Sequence, residues 1–229
     1  MVKKLDSILL SENAKELFLQ AYSEPEFHKW IMKILPEIER CKNQKQDNPW
    51  HIYNCLEHIL VSVEEMNKQT DQMEENVRRK LAYCMFLHDI GKPHSYIRRF
   101  SKAYGRDVDS FFNHNKKSAE IAKRVLPELS FSNEEIRQMT KLIYKHDIFM
   151  FISLTPTKNQ FHKELTPQLI EEEIKDLNNV GDGSELLRQL ILIGRADNKA
   201  QNPEMTQESL KLLQAMEDMV QRESSGQEK

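Results

Sequence analysis

The stretch Glu74-Glu75-Asn76-Val77-Arg78-Arg79-Lys80-Leu81-Ala82-Tyr83-Cys84-Met85-Phe86-Leu87-His88-Asp89-Ile90-Gly91-Lys92-Pro93 decides the reading of this chain. Val77, Leu81 and Cys84 recur at helical spacing, so Glu74 to Asp89 is expected to form a helix with these side chains on one face. His88 occupies the next position on that face, and Asp89 follows it. Gly91 and Pro93 then supply a stop signal. A His-Asp pair therefore sits at the inner end of an apolar stripe, where a helix in a soluble protein ordinarily carries leucine or valine.

Working outward, the same anomaly recurs. His114 opens a helix expected over His114 to Leu126, on the face of Ser118, Ala122 and Val125. His146 ends a helix that Ser132 opens with a capping box to Glu135, near the face of Ile136, Met139 and Ile143. Asp197 falls on the stripe of Leu186, Leu190 and Ile193, in a helix expected from the Gly181-Asp182-Gly183-Ser184 turn to Ala200. His58 belongs to a helix over Asn54 to Met66, off the centre of the Leu56, Leu60, Val63 stripe. Residues 1–35 read as one or two helices with Ser11 as an N-cap. Pro36 and the polar stretch Cys41 to Pro49 mark a break. Thr166 to Leu177 and Thr206 to Arg222 complete the helical set, with a frayed tail from Glu223 to Lys229. Phe149 to Leu154 is a short, isolated strand signal, and Ser95 to Asn113 reads as a loop.

The expected fold is all-α: a helical bundle over 48–203, with an N-terminal helical extension over 1–47 and a C-terminal helix and tail over 204–229. The composition agrees. The 229 residues include only six glycines and eight prolines, with 39% hydrophobic and 30% charged side chains. That balance suits a soluble globular chain of long helices. A net charge of −3 disfavours nucleic acid as an obligate partner. No apolar run approaches the length of a membrane span. The polar N-terminus does not resemble a secretory signal, and three unpatterned cysteines fit a reducing compartment, so a cytoplasmic location is expected. Cys55 and Cys84 read as small core residues.

Burying a lone carboxylate costs several kcal/mol. Two of them beside several imidazoles call for a compensating charge, and a divalent cation supplies it with ligands that it prefers. Any one of these residues has an ordinary reading as well: a satisfied core histidine, or Asp197 paired with Arg195 or Lys199. That reading weakens because the residues lie on five separate helices and all but His58 fall on inward faces.

His58, the pair inside Leu87-His88-Asp89-Ile90-Gly91-Lys92-Pro93, and Asp197 inside Gly194-Arg195-Ala196-Asp197 reproduce an H…HD…D order. This resembles the HD-domain superfamily of metal-dependent phosphohydrolases, from about Asn48 to Ala200. Phe111-Phe112-Asn113-His114, Ser118-Ala119-Glu120, Leu129, Phe131 and His146 look most like the HD region of bacterial tRNA nucleotidyltransferases. The chain lacks a nucleotidyltransferase signature, so a stand-alone HD domain is implied. It also lacks the Gly-Tyr-Pro extension of the cyclic-di-GMP hydrolase branch.

The resemblance implies one metal on His58, His88, Asp89 and Asp197. It favours a second on His114 and His146, with Asp89 as the bridge. Members of the superfamily often carry two adjacent histidines where this chain has His146-Asp147. Asp147 is open to three readings, as a ligand, an orienter or a surface residue, and is not included in the expected ligand set. The expected cofactor is one or two divalent transition ions, Mn, Fe, Co, Ni or Zn. The expected reaction is hydrolysis of a phosphomonoester or phosphodiester, on a small phosphorylated substrate such as a nucleotide, with Asp89 and Lys92 in catalytic roles. Lys92 reads equally as a phosphate-holding or leaving-group lysine and as a solvated lysine of the helix-terminal turn. Arg98, Arg99 and Arg106, interleaved with Tyr96, Phe100 and Tyr104, are candidates for substrate binding. Two other classes stay open: a di-iron oxygenase built on the same ligands, and a metal-binding regulatory module without turnover. His51 and His94 lie outside the pattern but close to it in sequence.

Overall fold

In the computed structural model, residues 1–156, 158 and 160–226 are described, the last four as backbone alone. Four short helices open the chain: α1 (Val2–Leu9), α2 (Ala14–Ser23), α3 (Pro25–Ile34) and α4 (Glu37–Asn43). Two longer helices follow, α5 (Cys55–Thr70) and α6 (Glu75–His88). A hairpin of β1 (Tyr96–Ser101) and β2 (Arg106–Phe111) leads to α7 (His114–Val125) and α8 (Asn133–Lys145). The short strands β3 (Ile152–Ser153) and β4 (Lys163–Glu164) come next, then α9 (Pro167–Leu177), α10 (Gly183–Lys199) and α11 (Pro203–Gly226).

The all-α expectation describes the architecture, and the local signals that carried it act as read. Asn54 caps α5 and Ser132 caps α8, each in a reciprocal capping box with a glutamate three residues on. Asp182 and Thr166 cap α10 and α9 through the same third backbone N–H. These side chains satisfy donors that a helix start leaves unpaired.

Helix α6 is the axis of the fold. Every residue from Lys80 to His88 is buried, so its last turns have no solvent face. It packs against α5, α7, α8, α10 and α1. The N-terminal helices add to the same core. Phe18 of α2 meets Phe86 of α6 at 5.4 Å between ring centroids and Phe27 of α3 at 5.9 Å. One apolar cluster runs from Leu5 to Val220. Asp6 fixes α1 onto α6 by accepting from both Arg79 Nε (2.9 Å) and Tyr83 OH (2.7 Å).

Several local expectations are corrected. Residues 1–35 form three helices rather than one or two, and a fourth occupies Glu37–Asn43 where a break was expected. Asn13, not Ser11, is the N-cap residue of α2, while Ser11 Oγ accepts from the Asn13 N–H. Ser95 to Asn113 is chiefly an antiparallel hairpin, Tyr96 opposite Phe111 and Ser101 opposite Arg106. Its tight reversal uses Gly105 at φ +63°, a conformation that glycine adopts without steric cost. The apolar stretch at Phe149 starts as a 3-10 turn over His146–Phe151, and only Ile152–Ser153 pairs, in parallel with Lys163–Glu164. Of the expected frayed tail, residues 223–226 continue α11 and 227–229 lie outside the described residues.

Candidate metal centre

Five helices bring their unusual polar residues to one buried place. His58 is on α5, His88 and Asp89 are at the end of α6, His114 is at the start of α7, His146 follows the end of α8, and Asp197 is on α10. His58, His88, Asp89 and His146 are at most 2% exposed, and Asp197 and His114 at most 9%.

The polar atoms form two groups that share Asp89. In the first, His58 Nε2 lies 3.1 Å from Asp89 Oδ2 and 3.0 Å from Asp197 Oδ1. His88 Nε2 lies 3.3 Å and 3.5 Å from the same two oxygens. In the second, His114 Nε2 is 3.0 Å and His146 Nε2 3.7 Å from Asp89 Oδ1, and the two nitrogens are 3.2 Å apart. Each oxygen of Asp89 thus faces one group.

The imidazoles are aimed by the backbone. His88 Nδ1–H donates to Met85 O (2.6 Å), His114 to Phe111 O (2.7 Å) and His146 to Ile143 O (2.7 Å), each three residues back. His58 Nδ1–H donates to Ala200 O at 3.2 Å. With Nδ1 protonated by these bonds, each Nε2 presents its lone pair inward. Asn113, just before His114, is left-handed at φ +59° and makes the reversal that brings the Phe111 carbonyl to the ring. Gly91 allows the end of α6 to lie against α7: a Cβ there would meet Ser118 N at 2.5 Å and His114 O at 2.6 Å. The Gly91 N–H instead donates to Ser118 Oγ at 2.9 Å.

A divalent ion fits this donor set. Four inward lone pairs face carboxylate oxygens that also carry lone pairs, which is repulsive unless a cation lies between them. Ligands about 2.0–2.2 Å from one ion lie roughly 2.8–3.6 Å from their neighbours, the short end for adjacent octahedral positions and the long end for tetrahedral ones. The first group has that spacing throughout. Asp89 Oδ2 is buried without an aligned hydrogen-bond donor, although Lys92 Nζ is 2.5 Å away.

Charge balance without an ion rests on protons. Burial opposes charging His88, yet Asp89 and Asp197 outweigh it and raise its pKa to about 10. Burial acts to raise the carboxyls of Asp89 and Asp197, and their neighbours hold both well below the usual range. For Asp89 these are chiefly the His88 and Lys92 charges, and for Asp197 chiefly the hydrogen bonds with His58 and His88.

The other expected site residues divide. Lys92 is buried, which rules out the solvated reading: Nζ donates to Gln46 Oε1 (2.7 Å) and His51 Nε2 (3.0 Å) besides its pairing with Asp89. Burial works against its charge, and Asp89 more than restores it. Arg195 pairs with Glu217 at 2.7 Å, so Asp197 faces the two histidines and Gln201, whose Nε2 donates to Asp197 Oδ1 at 3.2 Å. Arg98 joins Asp109 (2.8 Å) and Asp47 (2.9 Å), and Arg106 joins Asp47 (2.8 Å). Both pin the hairpin to the segment after α4. Arg99 donates to Ser110 Oγ and stacks over Phe112, 4.3 Å from the ring centroid.

Two neighbours of the centre were not included among the expected site residues. His51 donates from Nδ1 to Asn48 Oδ1 (2.8 Å), accepts from Lys92, and stands edge-on to His58. Gln46 is the second acceptor for Lys92. Neither lies on a helical stripe, so periodicity carried no signal for them. His94 is exposed, with Nδ1 3.3 Å from Arg40. The thiols do structural work: Cys55 Sγ donates to Asp89 O, which also accepts from the Lys92 N–H at 3.0 Å, and Cys41 Sγ donates to Ile90 O.

Comparison with known proteins gives a family-model match, described as HD domain, over residues 51–198. Among curated proteins, the bifunctional uridylyltransferase/uridylyl-removing enzyme of Gluconobacter oxydans (strain 621H) is 27% identical over 186 residues, covering 76% of this chain and 17% of that enzyme. Its counterpart from Azospirillum brasilense is 25% identical over 187 residues, with the same coverage of each chain. That from Rhodospirillum rubrum is 24% identical over 209 residues, 86% of this chain and 19% of the enzyme. The chain thus spans under a fifth of the length of these relatives. The family match covers well over half of the chain and ends one residue past Asp197, so it encloses every histidine and aspartate of the two buried groups: this protein belongs to the HD domain family.

Proposed function

We propose that this protein is a metal-dependent phosphohydrolase that cleaves a phosphomonoester or phosphodiester on a nucleotide or nucleotidyl group. The observation that carries the reading is the shared carboxylate: Asp89 offers Oδ2 to His58, His88 and Asp197, and Oδ1 to His114 and His146. These residues would hold one or two divalent ions, which would supply a hydroxide at neutral pH and charge to neutralise the phosphoryl oxygens. The relatives support the substrate class, because they are named in part for removal of a uridylyl group.

The chain's own residues have distinct parts in this reading. The four imidazoles hold their Nε2 atoms inward through backbone bonds at Nδ1. Lys92 keeps Asp89 ionised in a buried setting, and its ammonium is the nearest protein cation for a phosphoryl or leaving-group oxygen. Gln46 and His51 fix that ammonium, and the Lys92 charge with burial holds His51 neutral. Of the three hairpin arginines, Arg99 is the best suited to a phosphate, since Arg98 and Arg106 are engaged by Asp47 and Asp109. Among the described residues no helix is long and apolar enough to cross a membrane.

The test is metal analysis of the purified protein together with a screen of phosphomonoesters and nucleotidyl phosphodiesters in Mn, Fe, Co, Ni and Zn. Metal-dependent release of phosphate or nucleoside monophosphate is the expected result. A metal-loaded protein silent on the whole panel would overturn the hydrolase reading.

A further inference from the structure

Asp147 directly follows His146, and its side chain is one-fifth exposed. Its Oδ2 lies 3.1 Å from His114 Nε2 and its Oδ1 3.3 Å from His146 Nε2. These are the ring nitrogens that face Asp89. An orienting carboxylate would take the N–H of Nδ1, but both Nδ1 groups already donate to backbone carbonyls, Phe111 O and Ile143 O. Asp147 also has no lysine or arginine partner among the described ion pairs; its two are with these rings. A carboxylate held against two inward lone pairs is repelled unless a proton or a metal ion lies between them, and a metal ion engages all three groups at once.

We infer that Asp147 is a terminal ligand of the second metal, so that the two halves of the centre carry matched donor sets. The first half has two imidazoles, Asp197 and one oxygen of Asp89; the second has two imidazoles, Asp147 and the other oxygen of Asp89. The inference rests on the two-metal reading above and extends it. A third carboxylate lowers the net charge of two bound divalent ions from +2 to +1. It also moves the second position toward the harder, oxygen-preferring end of the transition series, Mn²⁺ and Fe²⁺ rather than Zn²⁺.

The test is Mn²⁺ binding to the metal-stripped protein by titration calorimetry, with low-temperature electron paramagnetic resonance to register coupling between paired ions. The proteins compared are wild type, Asp147→Asn, Asp147→Ala and, as a first-site control, Asp197→Asn. The wild type is expected to take up two Mn²⁺ per chain with a spin-coupled spectrum. Both Asp147 variants should retain one strong site and weaken the other by more than about tenfold, the scale on which even outer-sphere partners act, leaving an uncoupled Mn²⁺ signal. Asp197→Asn should weaken the first site instead. Circular dichroism confirms that each variant is folded. Two strong, coupled Mn²⁺ ions in both Asp147 variants would overturn the ligand assignment while leaving the two-metal reading intact. A wild type that binds one ion or none would overturn the two-metal reading and the inference with it.

Discussion

The Nε2 atoms of His58 and His88 stand 3.3 Å apart, each ring having spent its Nδ1–H on a backbone carbonyl. Two lone pairs confront each other in a buried space with two carboxylates beside them. The protein can relieve this with protons or with a metal ion, and these alternatives compete for the same four atoms.

Removing metal is therefore expected to destabilise the fold. Free ion at about one hundred times its Kd contributes roughly 2.7 kcal/mol. For a chain of this length that corresponds to a Tm change of roughly 5–10 °C. Differential scanning calorimetry before and after exhaustive chelation measures it, and an unchanged Tm would count against metal binding at this centre.

Metal uptake should release protons. The raised pKa of His88, about 10, means that the metal-free ring keeps its proton through neutral pH. Affinity is then expected to rise with pH toward that value and to fall as pH drops. In the metal-free protein the sign is opposite. Stability from the His88 proton is fully present below about 6.5, the unfolded value, and is lost as pH rises through about 10. Calorimetric titration in two buffers of different ionisation enthalpy counts the protons, and a buffer-independent heat would contradict the competition.

Asp89→Ala should abolish both turnover and tight metal binding while preserving helix content. Asp89 is the one residue common to both groups, and its loss also leaves Lys92 buried without its carboxylate. Full turnover in this variant would remove Asp89 from the mechanism.

Gly91→Ala should act on the centre through packing. The added Cβ meets backbone at 2.5 Å and 2.6 Å, so α7 must shift away from α6 and carry His114 with it. A loss of about 1–3 kcal/mol is expected from overpacking, read as a lower urea midpoint with unchanged m. Binding at the His114 side should suffer more than at the His58 side.

The three thiols should be inert in the folded protein. Burial pushes Cys84 up to about 12, and Cys41 is raised well above its ordinary value for the same reason. Ellman's reagent should find no reactive thiol until denaturant is added, then three. A fast native reaction would show the core more open than the structure has it.

What could be read from residues alone depended on regularity. The capping boxes at Ser132 and Asn54 are short-range hydrogen bonds between side chains and nearby backbone, so local sequence specifies them. His88, His114, His146 and Asp197 were legible because a polar residue interrupts an otherwise apolar helical face. His58 was harder to place because α5 is buried on more than one side, with Ser62, Asn67 and Thr70 also inside, and no single stripe defines inward. The hairpin escaped because β1 is exposed at five of its six positions and shows no apolar alternation, and the hairpin is held in place by Arg98, Arg106, Asp47 and Asp109 across more than fifty residues for the longest links. His51, Gln46 and the approach of Asp147 to His114 depend on tertiary contacts that no local pattern encodes.

Because one carboxylate serves both halves of the centre, its torsion angle is a common variable. If the centre holds two ions, one on the Oδ2 side would restrain that torsion near the pose that the Oδ1 side needs, so the first arrival would favour the second. A cell in which the metal is scarce would thus hold two populations, empty chains and doubly filled ones, with few in between. Catalytic capacity would then follow metal supply along a sigmoid rather than in proportion to it.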